Sequence, residues 1–330
     1  MKVIIPVAGP GTKLRPFTYT QPKPLIPVAG KPILSYILDD LIRAGHEDFI
    51  FVVAHLSEKI IEFVDENYPD VLKKYIFQKE RMGLGHAIYT CKDYIEENEE
   101  VLIQLGDSIL DVDFKVLTHC KYNTLAVRKV NDPRSFGVVE TDESGFIKRL
   151  VEKPKIPKSN LALVGLYYIK EFKQLVQALE YNIEHDLRTK GEFHLTDGLM
   201  KLLELGYKFE VMEVKNWFDC GKKEVLLETN AIMLDRMSPE PVNLESDNNI
   251  IIPPVRLGRN CRIQNSILGP HVSIGDDTEI NNSLIREAII GNYTILNNIV
   301  IEKSIIGNDV VIRGKSQSYN IGDNTEMDVL

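Results

Sequence analysis

A strand that runs into glycine, proline and glycine, with cations directly after it, constrains this chain more than any other feature. Val3-Ile4-Ile5-Pro6-Val7-Ala8 is apolar and rich in β-branched residues, as a buried strand requires. Gly9-Pro10-Gly11-Thr12 can only be a loop, because glycine admits positive φ and proline stops a helix. Lys13, Arg15 and Lys23 follow. Bare backbone N–H groups at a strand's C-terminal end, flanked by ammonium and guanidinium groups, suit a polyphosphate. Two familiar loops are excluded. The P-loop needs its Gly-Lys-Ser/Thr, and the dinucleotide fingerprint needs a third glycine where Leu14 stands.

The next hundred residues alternate. Pro32 suits a first helical turn, Ile33, Leu34, Ile37, Leu38 and Leu41 recur at helical spacing, and Gly45 ends that helix. Strands are predicted over 49–53, 75–77 and 101–105, and helices over 57–64 and 83–94. Such alternation with short connections predicts an α/β domain on a mostly parallel sheet, whose ligands bind beyond the strands' C-terminal ends. Asp142-Glu143-Ser144-Gly145 predicts a hairpin and therefore antiparallel additions.

Composition sets limits. At 330 residues the chain can hold two domains, and its net charge of −9 argues against general affinity for nucleic acid or anionic membrane. No stretch reads as a membrane span, and Pro6 and Gly9 interrupt the only candidate for a signal peptide. Cys91, Cys120, Cys220 and Cys261 lack paired spacing and read as free thiols of a cytoplasmic protein.

The run AGPGTKLRPFTYTQPKPLIPVAGKP resembles the signature of the sugar-1-phosphate nucleotidylyltransferases, GGxGTRLxPLT…PKxLxPVxxKP. Within them it is most similar to the glucose-1-phosphate thymidylyltransferases, and the likeness extends from Met1 to about Met233. The resemblance implies that Ala8, Gly9, Gly11, Thr12, Lys13 and Arg15 bind the nucleotide's phosphates. It also implies that Gln78 and Gly83 read a pyrimidine edge. On the residues alone Gln78 reads rather as a polar strand cap, and His86, in a uridylyltransferase-like Gly-Leu-Gly-His-Ala, leaves thymine and uracil both open. Asp107, after Leu105-Gly106, and Asp219, in Trp217-Phe218-Asp219-Cys220-Gly221, match the family's two Mg²⁺ ligands. Asp111 and Asp113 are expected in a solvated turn. Gly137, Glu152-Lys153-Pro154, Gly165, Tyr167 and Lys190 match positions that hold the sugar and its phosphate, whereas Lys155 and Lys158 read as solvated charge. The implied catalytic set is Lys13, Lys23, Asp107, Lys153 and Asp219. Lys13 and Lys190 stand where the family has arginine, and lysine is a point charge that cannot make arginine's two-pronged contact. Phe136 replaces a frequent tyrosine, and Pro10 removes an amide donor.

The last third has another texture. Residues 239–249 read as a linker between a catalytic domain, 1–238, and a second domain, 250–330, whose tail begins near Ser316. Leu257-Gly258, Leu268-Gly269, Ile274-Gly275, Ile290-Gly291 and Ile306-Gly307 recur, which resembles the hexapeptide repeat of left-handed parallel β-helices. The expected fold is thus a Rossmann-like, mixed and mostly parallel sheet followed by a short left-handed β-helix. The β-helix is expected to join copies of the chain into a homo-oligomer, with its one histidine, His271, a surface residue. The expected reaction joins a nucleoside triphosphate, dTTP or UTP, to a sugar 1-phosphate of the glucose type, with Mg²⁺. Guanylyl or adenylyl transfer, a nucleotide-sugar sensor, and a β-helix with acyltransferase activity remain open.

Overall fold

The structure, a computed structural model, describes residues 1–117, 119–237, 248–315, 321–322, 324 and 326. Most of the expected linker, up to residue 247, and most of the expected tail lie outside the described residues. The chain forms two compact units: Met1–Pro27 with Lys31–Leu226, and Val28–Gly30 with Leu227–Leu330.

The first unit is built on a nine-stranded sheet. Four strands, β1 (Lys2–Pro6), β2 (Asp48–Val53), β3 (Leu72–Phe77) and β4 (Val101–Gln104), lie parallel, with β1 between β4 and β2. The helices between them are α1 (Ile33–Arg43), α2 (Ser57–Asn67) and α3 (Leu84–Tyr89). β1 and β2 are buried on both faces, which is why they read as unbroken apolar runs. The periodic residues of α1, Ile33, Leu34, Ile37, Leu38 and Leu41, are all buried, each gaining about 1.5–3 kcal/mol over an exposed position.

Two expectations need correction. The third helix stops at Tyr89 rather than reaching Tyr94, because the Thr90 hydroxyl turns back onto the Ala87 carbonyl at 2.6 Å and a separate turn follows. Asp111 is not in a solvated turn. It ends β5 (Ser108–Asp111), and its Oδ2 accepts a hydrogen bond from Asn216 at 2.6 Å. Asp113 is exposed, and its carboxylate accepts from the Lys115 amide.

Beyond β4 the sheet turns antiparallel. β6 (Asn123–Lys129) and the hairpin β7 (Gly137–Thr141) and β8 (Ile147–Glu152) precede β9 (Leu161–Ile169), which pairs antiparallel with β4, β6 and β7. Asp142 Oδ1 closes the hairpin by accepting from the Ser144 and Phe146 amides. Helices α4 (Phe172–Glu184) and α5 (Leu195–Glu204) follow, then β10 (Phe209–Glu213), parallel to β6. Finally β11 (Asn216–Asp219) pairs with β5 in a small ribbon, setting Asp219 opposite Ser108.

The second unit stacks short parallel strands in two sheets, which fits the left-handed β-helix of the resemblance. Successive coils are 17 or 16 residues apart, so rung partners such as Asn260 and Asp277, or Asn282 and Asn298, sit one above the other. Three columns of left-handed residues turn the corners: Asn248, Asn265, Asn282 and Asn298; Asn260, Asp277, Tyr293 and Asp309; and His271, Glu287 and Lys303. Asparagine and aspartate tolerate this conformation best, which explains their recurrence. Ile263, Leu268, Ile274, Ile280, Ile285, Ile290 and Leu296 fill the inside. His271 is paired as well as partly exposed, with Nε2 3.1 Å from Asp235 Oδ1. Val28–Gly30 joins this unit through Asn230, whose Oδ1 accepts from the Ala29 amide at 2.8 Å and from Ser273 Oγ at 2.6 Å.

Candidate active site

Two cavities open in the first unit at the C-terminal ends of the parallel strands. The larger, about 460 Å³, is lined by the β1 exit loop (Ala8, Gly9, Gly11, Thr12, Lys13), by Lys23, by Gln78 and Gly83 after β3, and by Asp107 and Asp219. The smaller, about 250 Å³, is lined by Phe136, Gly137, Glu152, Lys153, Gly165, Tyr167, His194, Thr196 and Trp217. Leu84, Leu105, Asp107, Glu192 and Asp219 line both, so the cavities meet at the two carboxylates.

The β1 loop keeps donors free. Among the described residues, the amides of Ala8, Gly9, Gly11, Thr12 and Lys13 donate to no protein acceptor. The loop is held instead through its carbonyl: Thr18 Oγ1 donates to Gly11 O at 2.8 Å. Lys13 is exposed and lines the cavity, while Arg15 lines neither cavity and lies over the Tyr19 ring, 5.1 Å from its centroid.

Lys23 is the centre of the charge arrangement. Its Nζ lies 2.5 Å from Asp107 Oδ2 and 3.8 Å from Asp219 Oδ1, and its side chain is only 11% exposed. Burial opposes its charge, but Asp107, by charge and hydrogen bond, and then Asp219 outweigh that and hold the ammonium above the usual lysine range. Burial raises the Asp219 carboxyl, Lys23 pulls it back, and repulsion from Asp107 adds to the rise. A Cβ on Gly221 would sit 3.1 Å from Asp219 Oδ1 and 3.3 Å from Lys23 Nζ, so glycine leaves this group its space.

Gln78 is 5% exposed. Its Nε2 donates to Gly83 O at 3.1 Å and meets His86 Nδ1 at 3.0 Å, so the amide is fixed by the helix start it faces. Burial lowers the His86 pKa. Gly83 has φ +109°, and a Cβ there would lie 2.6 Å from the Phe193 carbonyl oxygen. The missing side chain therefore admits the backbone of the 189–194 segment, a role beyond access for a base.

On the smaller cavity, Gly165 has φ +93° in the middle of β9, where the register slips between Leu163 and Tyr167. This bulge re-aims the strand at the cavity wall. Glu152 Oε2 accepts from Thr196 Oγ1 at 2.8 Å, and Lys153 Nζ lies 3.3 Å from Glu152 Oε1. Lys190 lines neither cavity. Its Nζ donates to the Lys153 carbonyl at 2.6 Å, and both lysines hold left-handed backbone, at φ 53° and 44°. Strain of this kind gathers at functional sites. Lys155 and Lys158 are exposed, as expected.

Sequence reasoning missed several lining residues. Arg81 lies between Gln78 and Gly83 and could have been found as a cation inside that segment. Trp217 packs edge-on against Phe136 at 4.7 Å, and among the described residues its buried Nε1 finds no partner; only its motif was visible. His194 carried no sequence signal of its own.

Residues 2–236 match the nucleotidyl transferase family. The chain belongs to that family. This nucleotidyltransferase is 34% identical over 255 residues to the low-salt glycan biosynthesis nucleotidyltransferase Agl11 of Haloferax volcanii, covering 75% of this chain and 70% of that one. It is 35% identical over 258 residues to the bifunctional protein GlmU of Methanocaldococcus jannaschii, across 76% of this chain but only 59% of the relative. It is 32% identical over 275 residues to a glucose-1-phosphate thymidylyltransferase of Streptomyces antibioticus, across 81% and 75%. Among solved structures, UDP-glucose pyrophosphorylase complexed with UDP-glucose superposes with a TM-score of 0.64 at 25% identity, over 72% of this chain and 99% of that one. Among the described residues, no helix is long and apolar enough to cross a membrane.

Proposed function

We propose that this nucleotidyltransferase joins a pyrimidine nucleoside triphosphate, dTTP or UTP, to a sugar 1-phosphate of the glucose type, releasing pyrophosphate. The observation that carries the reading is the seam: two cavities of unequal size share Asp107 and Asp219, with Lys23 between those carboxylates. The larger takes the nucleotide and the smaller the sugar. An oxygen of the sugar phosphate attacks the α-phosphorus in line, the bond to the β-phosphate's bridging oxygen breaks, and pyrophosphate leaves. The protein's task is to bring two anions together. Lys13 and the free amides of the β1 loop receive the β- and γ-phosphates, while Arg15 stays outside the cavity over Tyr19. Lys23 and Lys153 draw in the sugar phosphate, Glu152 accepts sugar hydroxyls, and Lys190 steadies Lys153 through its carbonyl. Gln78 Nε2 is engaged by Gly83 and His86, which leaves Oε1 to accept the N3–H of uracil or thymine.

The carboxylates fit Mg²⁺. Asp107 and Asp219 are 36% and 38% exposed, converge on one cation and repel each other. That suits a hard ion taking one or two carboxylates and completing its shell with phosphate oxygens and water. No group of three or more His, Cys, Asp or Glu among the described residues would form a closed cage. Bound there, Mg²⁺ would neutralise nucleotide oxygens.

We assign catalysis to residues 1–238 of a cytoplasmic protein and association of copies to the β-helix. Val300 and Val311, on its later strands, are 75% and 52% exposed, and light scattering on the whole chain and on a chain cut at 238 tests the assembly. The reaction is tested by a panel of sugar 1-phosphates against all nucleoside triphosphates, read by pyrophosphate release. Preference for dTTP or UTP is expected. Preference for GTP or ATP overturns the base assignment, and no turnover with any pair overturns the transferase reading in favour of a nucleotide-sugar sensor.

A further inference from the structure

His194 lines the smaller cavity, yet the residue is only 7% exposed, and among the described residues its ring Nε2 finds no hydrogen-bond partner. An unpaired buried nitrogen of this kind is a penalty, so packing alone would favour an apolar side chain at this position. The opposite edge of the ring accounts for the choice. Nδ1 lies 3.6 Å from Glu152 Oε1, a few tenths beyond hydrogen-bond range. The same oxygen faces Lys153 Nζ at 3.3 Å, and Oε2 is held by Thr196. Glu152 is therefore gripped from three directions, and His194 is the one grip with slack.

The backbone beneath the ring has no such slack. His194 immediately precedes α5, and its carbonyl accepts from the Asp197 amide at 3.3 Å. A Cβ on Gly85 would lie 2.9 Å from that carbonyl oxygen, so α3 packs directly against it. The Asp197 carboxyl stands in the first turn of α5, and among the described residues its buried Oδ2 finds no partner. On a fixed backbone, the imidazole presents its Nδ1 to the Glu152 carboxylate.

We propose that His194 is a positioning residue for the sugar: it holds the Glu152 carboxylate at the angle that reads the sugar's hydroxyls, and so narrows which hexose 1-phosphates the cavity accepts. This rests on the sugar-nucleotidyl reading above. A residue that acts through Glu152 changes sugar affinity only while Glu152 is there to be positioned, and leaves the nucleotide side alone.

The test compares wild type, His194→Leu, His194→Gln and Glu152→Gln with the double variant His194→Leu/Glu152→Gln. For each, KM is measured for glucose 1-phosphate and for the triphosphate, together with kcat and turnover of galactose 1-phosphate. His194→Leu should raise the sugar KM tenfold or more, with kcat and the triphosphate KM within threefold, and should flatten the preference between the two sugars. His194→Gln, whose amide can reach Glu152, should recover to within threefold. In the Glu152→Gln background the leucine substitution should add nothing. If His194→Leu does not fold, His194→Asn, which is polar but too short, takes its place in the same cycle. A sugar KM within twofold of wild type, or effects that add in the double variant, overturns the proposal while the transferase reading stands. A wild type inactive on every sugar 1-phosphate overturns both.

Discussion

The two units place polar side chains by opposite means. In the β-helix, partners are one coil apart and repeat: Arg259 with Asp276, Asn260 with Asp277 and Arg262 with Glu279, each 17 residues on. In the first unit Lys23, Asp107 and Asp219 meet from three distant parts of the chain, delivered by the β1 exit, the β4 exit and the end of β11. Repetition yields a stack in which each rung resembles the last, whereas convergence yields one place unlike any other. The difference teaches where chemistry can arise. A rung sits on an exposed flank and is screened by water, while the converged group is partly desolvated and its charges act on one another.

The comparison breaks most sharply at the carboxylates. Asp107→Ala or Asp219→Ala should lower kcat/KM by roughly 10³-fold or more, a few kcal/mol of transition-state stabilisation, with the circular dichroism spectrum unchanged. Full activity in either variant, or in excess chelator, would mean that the meeting of these residues is structural.

How much of this was legible follows the same division. The β1 loop stood out because a strand exit concentrates special residues over a few positions, whereas Gln78, Gly83, Asp107, Glu152, Lys153 and Asp219 were singled out only by the family resemblance. The β-helix was visible because its corners and core recur. A long cation's reach cannot be read from its position: Arg15 lies over Tyr19, Lys190 ends on the Lys153 carbonyl, and neither lines a cavity. His194 carried no signal, and Trp217 showed only its motif, because their contacts with Glu152 and Phe136 are supplied by tertiary packing alone.

In the β-helix the largest effect should be on stability. Ile280→Ala or Leu296→Ala removes a side chain at 1% or 0% exposure from the stacked core and should cost about 2–5 kcal/mol, read by denaturant unfolding. Turnover per folded molecule should hold. A proportionate fall in kcat would show that the repeat unit contributes to catalysis and would erase the contrast.

A subtler effect is expected inside the larger cavity. Gln78→Ala leaves a base edge and the Gly83 carbonyl without their partner, a loss of about 1–3 kcal/mol, or roughly 5- to 150-fold in kcat/KM for the preferred pyrimidine. Purine triphosphates should change little. Equal losses for all four bases would demote Gln78 to a strand cap.

The smallest effect puts the contrast into a single pair of residues. Asp40 and Asp276 each face an arginine, Arg43 at 2.7 Å and Arg259 at 2.6 Å, yet their carboxyls shift in opposite directions from the ordinary value of 3.8. At Asp40 burial raises the pKa, and Arg43, three residues along the same helix, recovers only part of that. At Asp276 burial also raises it, but the Arg259 amide, at 2.8 Å, and its guanidinium outweigh burial and the pKa falls. A carboxyl raised in the folded state contributes stability that is present below the unfolded value and lost as pH rises through the folded one. A lowered carboxyl contributes stability present above the unfolded value and lost as pH falls. Between pH 7 and pH 3, then, wild type should gain in Tm relative to Asp40→Asn and lose relative to Asp276→Asn. The differences should amount to a few degrees at most, because both carboxylates are partly solvated. Thermal unfolding at several pH values decides it, and parallel slopes would show that the coil-to-coil rung holds its carboxylate no better than a helix surface does.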